Sequence, residues 1–189
     1  DGTLTVVIGD ATGHGMKDGT MVTATKSLFS SHAGNPDILF TFQEITRCIK
    51  HMNMHLVAMC LSILKIQGNK MQISAAGMPP ALLYREKTKS VEEIILKGMP
   101  LGAYQDFPYE LREAEINTGD TILLLSDGLP ELFNRKKEMF GYERVMEIYK
   151  NSASKNPEEL IQELKTAGSN WTNSEAPDDD VTFVVIKVK

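Results

Sequence analysis

Ile8-Gly9-Asp10-Ala11-Thr12-Gly13-His14-Gly15 follows the apolar run Leu4 to Ile8, so a hydrophobic stretch drives into an aspartate and then into a glycine-rich turn. The run is short, rich in β-branched residues and bounded by glycine, which predicts a buried strand over Thr3 to Ile8. Gly9, Gly13 and Gly15 permit sharp backbone bends that a side chain would obstruct. Asp10 is thereby expected at the mouth of a strand, on a turn with free carbonyls and amides, a setting that suits a hard metal ion or a phosphate.

Two later acidic positions have the same setting. Asp127 follows the apolar stretch Thr121 to Ser126 and precedes a glycine, and Asp178-Asp179-Asp180 stands just before the last apolar stretch, Thr182 to Val188. One such aspartate is ordinarily a turn former or a helix N-cap, and Asp127 would cap a short helix over Gly128 to Phe133. Three that converge repel one another unless a cation lies between them. Ligands that are all oxygen favour Mg²⁺ or Mn²⁺ over zinc.

The remaining elements point to an α+β fold. Met16 to His32 reads as a helix with Met21, Val22, Ala24, Thr25, Leu28 and Phe29 on one face. Asn35-Pro36-Asp37 breaks it, and Asp37 caps a second helix running to Lys50, with Ile38, Leu39, Phe42, Ile45 and Ile49 inward. Strands follow at Leu56 to Ile66, Met71 to Ala75, Ala81 to Tyr84, Val91 to Leu96 and Tyr109 to Ile116, with Gly68-Asn69 as a hairpin turn. Thr121 to Leu125 is apolar on both faces and so central in its sheet. Helices are expected at Tyr142 to Lys150 and from Asn156-Pro157, as cap and first position, to about Trp171. Hairpins with helices at both ends suggest antiparallel sheets rather than an alternating parallel one.

Composition narrows the class of protein. Of 189 residues, 42% are hydrophobic and 24% charged, enough for the core of one globular domain over residues 1–189. The formal net charge of −5 offers no basic stripe for phosphate backbones and argues against nonspecific nucleic-acid binding. No stretch reaches the roughly 20 apolar residues of a membrane helix. No secretion signal opens the chain. Cys48 and Cys60 lack metal spacing and read as buried reduced thiols of a cytoplasmic protein. The start at Asp1, two residues from a strand, reads as an excised domain whose upstream part is missing.

Several motifs, in order, carry a family resemblance. Gly9-Asp10-Ala11-Thr12-Gly13-His14-Gly15 resembles the GDVSGHG motif of bacterial SpoIIE/RsbU-like serine phosphatases, members of the metal-dependent protein phosphatase 2C (PPM) superfamily. Ser126-Asp127-Gly128-Leu129-Pro130-Glu131 resembles the family's TDGLTEA, and Phe140-Gly141-Tyr142-Glu143-Arg144 the "FG…R" after it. Asp179-Asp180-Val181-Thr182 resembles the closing DDxT, and Ala76-Gly77-Met78-Pro79-Pro80 the AGHxP bend. The resemblance implies two antiparallel sheets sandwiched between helices. It implies two Mn²⁺ or Mg²⁺ ions held by Asp10, the carbonyl of Ala11, Asp127 and Asp179, with Asp180 a further ligand, although relatives often carry asparagine there. It implies hydrolysis of phosphoserine or phosphothreonine in a partner protein, often a small anti-sigma-factor antagonist, under an upstream sensor domain. His14 is the candidate general acid; its offset from Asp10 differs from that of the catalytic histidine in eukaryotic relatives, so the turn-fixing reading is preferred.

Three departures accompany the resemblance. The family's earlier Gly-Asp motif is absent, Met78 replaces a common histidine, and the missing upstream strands should leave a sheet edge open to pairing in a homodimer. The alternative function is an inactive phosphatase-like domain serving as a protein-interaction module. Asp1-Gly2-Thr3-Leu4-Thr5 mimics a haloacid-dehalogenase motif but lacks the nucleophilic aspartate two residues earlier. The glycines from Gly13 to Gly19 lack dinucleotide-loop spacing.

Overall fold

The first strand does not stop at Ile8. In the computed structural model, which describes residues 2–11, 13, 15–53, 58–177 and 179–189, β1 (Leu4–Ala11) runs on through Gly9 and Asp10. It is followed by α1 (Met16–His32), α2 (Ile38–His51), β2 (Met59–Gln67), β3 (Lys70–Ala76), β4 (Ala81–Arg85), β5 (Ser90–Ile94), β6 (Arg112–Glu115), β7 (Thr121–Leu125), α3 (Tyr142–Ser152), α4 (Pro157–Trp171) and β8 (Phe183–Lys187). β1 continues because its ladder with β2 continues, from Leu4 opposite Ile66 to Ala11 opposite Met59. Gly9 is a strand residue whose missing side chain admits β2: a Cβ there would lie 2.6 Å from Leu61 Cδ1 and 2.9 Å from the Cys60 carbonyl oxygen. The sharp bend falls later, where Gly13 and Gly15 have φ of +115° and +112°.

The backbone divides into two compact units, Asp1–Met78 with Leu96–Glu115, and Pro79–Ile95 with Ile116–Lys189. In the first, an antiparallel sheet has the order β1-β2-β3-β6, with β1 and β6 at its edges. Ile38, Phe42, Ile45 and Ile49 of α2, spaced three and four apart, bury one helical face with Met21 of α1 and with Leu61 and Ile63 of β2. Asp37 caps α2 as expected, its Oδ1 accepting from the Phe40 N–H at 3.0 Å. α1 carries the expected face except at Val22, which is exposed: Met21 and Thr25 are buried, Ala24 is half-buried, and Leu28 and Phe29 pack against the core cluster. Its Thr20, Thr23, Ser27 and Ser30 hydroxyls donate to carbonyls four residues earlier, so polar groups are satisfied within the helix. The strand expected over Tyr109 to Ile116 shortens to β6. Ser74 Oγ donates to the Glu110 carbonyl at 2.7 Å, a side-chain bond just beyond the last ladder pair, Ile73 with Arg112. Leu56 and Val57, placed in the second strand by the sequence, lie outside the described residues. Cys48 and Cys60 form no disulfide among the described residues and are half-buried rather than buried.

The second unit carries an antiparallel sheet of order β5-β4-β7-β8. Every residue of β7 is buried, as expected of a central strand. Leu82, Leu123 and Leu125 pack with Val145, Tyr149, Leu160 and Leu164 of α3 and α4. Asn156 caps α4, its Oδ1 accepting from Glu159 N–H at 2.8 Å, with Pro157 first in the helix. No helix forms over Gly128 to Phe133. After single turns from Asp127 to Glu131 and from Leu129 to Leu132 the chain doubles back, with Phe140 N–H on the Leu132 carbonyl and Gly141 N–H on that of Pro130.

Tyr149 joins helix to sheet. Its hydroxyl lies 2.6 Å from the Thr121 carbonyl and 3.1 Å from that of Leu82, and accepts from Tyr84 N–H at 3.2 Å. Burial pushes the phenol pKa up from its ordinary value. Replacing Tyr149 with Phe strands buried backbone groups and should cost about 1–3 kcal/mol in urea unfolding. The raised folded pKa means the wild type keeps this contribution below about pH 10 and loses it as pH rises further. The Phe variant should lack that alkaline decline.

Candidate metal centre

The second unit brings two of the expected aspartates together by fastening the end of β7 to the segment before β8. Ser126, just past β7, donates its N–H to the Thr182 carbonyl, its Oγ accepts from the Thr182 N–H, and that Oγ lies within hydrogen-bonding distance of the Asp180 carbonyl, each at 3.1 Å. Gly128 makes the approach possible, because a Cβ there would sit 2.3 Å from the Asp180 carbonyl oxygen. Asp127 and Asp179, which flank this junction, each offer a carboxylate oxygen within 4.8 Å of the other.

The two carboxylates differ in setting. Asp127 is half-buried and its Oδ1 is buried without a hydrogen-bond partner among the described residues. Asp179 is exposed, and its Oδ1 accepts from the Asp180 N–H at 2.8 Å, which fixes the side chain beside its own backbone. Asp180 is also exposed; its carbonyl is what meets Ser126 and Gly128. A buried carboxylate oxygen that accepts nothing, beside a second carboxylate, is a donor set suited to a hard cation.

In the first unit, Asp10 and Ala11 close β1 opposite Cys60 and Met59, both half-buried. Thr12, His14 and Asp178 lie outside the described residues, so the general-acid reading of His14 has no geometry to weigh. Met78, in the bend after β3, is buried.

Arg144, the arginine of the "FG…R" resemblance, is committed to structure. Its guanidinium donates to the carbonyls of Met139 and Phe140 and lies 4.2 Å over the Trp171 ring. Charge for a bound phosphate therefore has to come from elsewhere.

Sequence reasoning missed three supports. Ser126 and Gly128 act only through a segment more than fifty residues away, which no local pattern announces. Tyr142, at the start of α3, has a buried hydroxyl without a hydrogen-bond partner among the described residues, and burial together with the charges of Glu93 and Asp127 raises its pKa. Its adjacency to the "FG" was the one available signal.

The family profile described as Stage II sporulation protein E (SpoIIE) matches residues 1–189, the whole chain. The chain belongs to the SpoIIE family. Among relatives of this SpoIIE domain, the phosphoserine phosphatase RsbU of Bacillus subtilis (strain 168) is 34% identical over 58 residues, covering 31% of this chain and 17% of RsbU. The chain thus spans about a sixth of that relative's length. Among solved structures, the SiaA-PP2C domain of Pseudomonas aeruginosa superposes with a TM-score of 0.83 at 16% identity, over 100% of this chain and 80% of that one. RsbX in complex with magnesium gives a TM-score of 0.71 at 19% identity, over 98% and 81%. These likenesses establish the phosphatase 2C fold for this SpoIIE domain, with its four helices and two antiparallel sheets.

Gly128→Ala should displace the segment that carries Asp179, because its Cβ meets backbone rather than a flexible side-chain end. Overpacking of this kind costs about 1–3 kcal/mol. Calorimetric titration with Mn²⁺ should show weaker binding than in the wild type at a temperature where both are folded.

Proposed function

We propose that this SpoIIE domain is a metal-dependent protein serine/threonine phosphatase, hydrolysing phosphoserine or phosphothreonine esters on a partner protein. The observation that carries the reading is the buried Oδ1 of Asp127, unpartnered among the described residues, with the Asp179 carboxylate within 4.8 Å. Asp127 and Asp179 would hold a divalent cation, Mn²⁺ or Mg²⁺, and Asp10 and the carbonyl of Ala11 would join them. In support, within the second unit Asp127 and Asp179 each offer a carboxylate oxygen within 4.8 Å of the other, and a solved structural neighbour, RsbX, is a magnesium complex. A cation so held supplies the positive charge that a phosphate ester and its attacking water require.

The protein's own residues supply position. Ser126 and Gly128 set the spacing of the two carboxylates, and Asp180 acts through its carbonyl in that frame. With Arg144 held by Trp171 and backbone carbonyls, phosphate recognition rests on the cation. The exposed acidic loop from Asn173 toward Asp180 leaves the site accessible to a protein substrate, for which an anti-sigma-factor antagonist is the candidate drawn from the sequence resemblance.

Mn²⁺-dependent hydrolysis of p-nitrophenyl phosphate tests the proposal. Activity should vanish with a chelator and return with Mn²⁺. Asp127→Asn and Asp179→Asn should each lower kcat/KM by more than the roughly 10–100-fold typical of losing a group outside the metal's own ligands. Asp180→Asn, which spares the backbone carbonyl, should fall less. Wild-type hydrolysis no faster than that of Asp127→Asn, with metal present, would sink the assignment and favour an interaction module.

A further inference from the structure

We propose that a cleft in the first unit binds a small bipolar ligand with the charge pattern of a free basic amino acid. The cleft encloses about 640 Å³, within the range of small-molecule sites, and Lys65 lines it. Thr5 of β1, Lys65 of β2, Gln72 of β3 and Glu113 of β6 are successive register partners, so they form one row across all four strands. On β2, alternation puts Leu61, Ile63 and Lys65 on the same face. The first two enter the core with α1 and α2, and Lys65 follows beyond it, where the α1–α2 connection at Gly34 and Pro36 lines the cleft.

Lys65 is only 7% exposed. Its Nζ donates to the Ala33 carbonyl at 2.7 Å and approaches Thr5 Oγ1 at 3.3 Å. An ammonium has three donors, so one is left. Among the described residues no carboxylate pairs with Lys65, and an unneutralised buried cation is costly. Burial lowers its pKa, in keeping with that strain.

At the far end of the row, Glu113 is exposed and its Oε1 accepts from Gln72 Nε2 at 2.6 Å, with no cation paired to it among the described residues. The neighbouring row opposes Lys70 to Glu115 in register, so its charges offset. Lys65 and Glu113 are the charges left over, two strand spacings or about 10 Å apart along the sheet. A simple anion satisfies Lys65 but meets Glu113, and a simple cation does the reverse. A molecule with a carboxylate at one end and an ammonium or guanidinium at the other satisfies both. Thr5 lies five residues from Asp10 along β1, about 17 Å, so the cleft is separate from that carboxylate.

Calorimetric titration of the whole chain with L-arginine and with L-lysine tests the assignment. Saturable binding of at least one is expected, with agmatine, which lacks the carboxylate, binding at least tenfold more weakly. Glu113→Gln, an exposed change at a sheet edge, should weaken binding about tenfold or more, as should Lys65→Met. Asp127→Asn should bind the amino acid normally, so the result stands apart from the phosphatase reading. Absence of saturable binding by both amino acids, equal affinity for agmatine, or an unchanged Glu113→Gln would overturn it.

Discussion

Repulsion between the carboxylates of Asp127 and Asp179 is the constraint around which the second unit is arranged. Two unit charges no more than 4.8 Å apart repel by at least about 0.9 kcal/mol in a medium like water and at least about 3.5 kcal/mol at the effective dielectric of a protein surface. A typical hydrogen bond returns only about 1 kcal/mol net. The three contacts that Ser126 makes to Thr182 and Asp180 can therefore hold the junction closed, but with little margin when the site carries its full negative charge. A cation reverses the sign of that term. The same arrangement that strains the bare protein favours metal binding, which is how binding a native-state ligand adds stability.

The rigidity around that junction comes from packing rather than from the site. β7 is buried along its length, flanked by β4 and β8, and the Tyr149 hydroxyl ties α3 to both β4 and β7. Asp127 leaves a strand with no freedom to shift, while Asp179 leaves an exposed loop. One carboxylate is thus positioned by the core and the other by its hydrogen bond from the next backbone N–H.

Much of the fold was legible because its signals are local. Asp37 and Asn156-Pro157 announced α2 and α4 by cap chemistry that operates within four residues, and the apolar run Thr121 to Leu125 announced a central strand. The failures have equally specific causes. Gly9 was read as a bend because glycine usually permits one, whereas it lies in the strand to admit Leu61 and the Cys60 carbonyl. The helix expected at Gly128 gives way to a returning segment, whose Phe140 and Gly141 N–H groups take the Leu132 and Pro130 carbonyls, a pairing that the cap signal at Asp127 does not announce. In α1 one member of the expected face, Val22, is exposed, while Met21, Thr25, Leu28 and Phe29 turn inward. The candidate site divides the same way: Asp127 and Asp179 stand in motifs that the sequence displays, but Ser126 and Gly128 serve a partner segment distant in sequence. Lys65 carried a signal that went unused, a lysine in the inward register of Leu61 and Ile63.

The motif Asp179-Asp180 also separates into two physical functions that sequence alone merges. Asp179 presents its carboxylate toward Asp127, and its other interaction, with the Asp180 N–H, only orients it. Asp180 meets Ser126 and the space left by Gly128 with its carbonyl, an atom every residue possesses. Its side chain is exposed and free to vary as far as this frame is concerned. Asparagine, which relatives often carry at this position, leaves that carbonyl contact in place, whereas a side chain at Gly128 does not. The demanding position of the closing motif, in steric terms, thus lies in the other motif, more than fifty residues earlier.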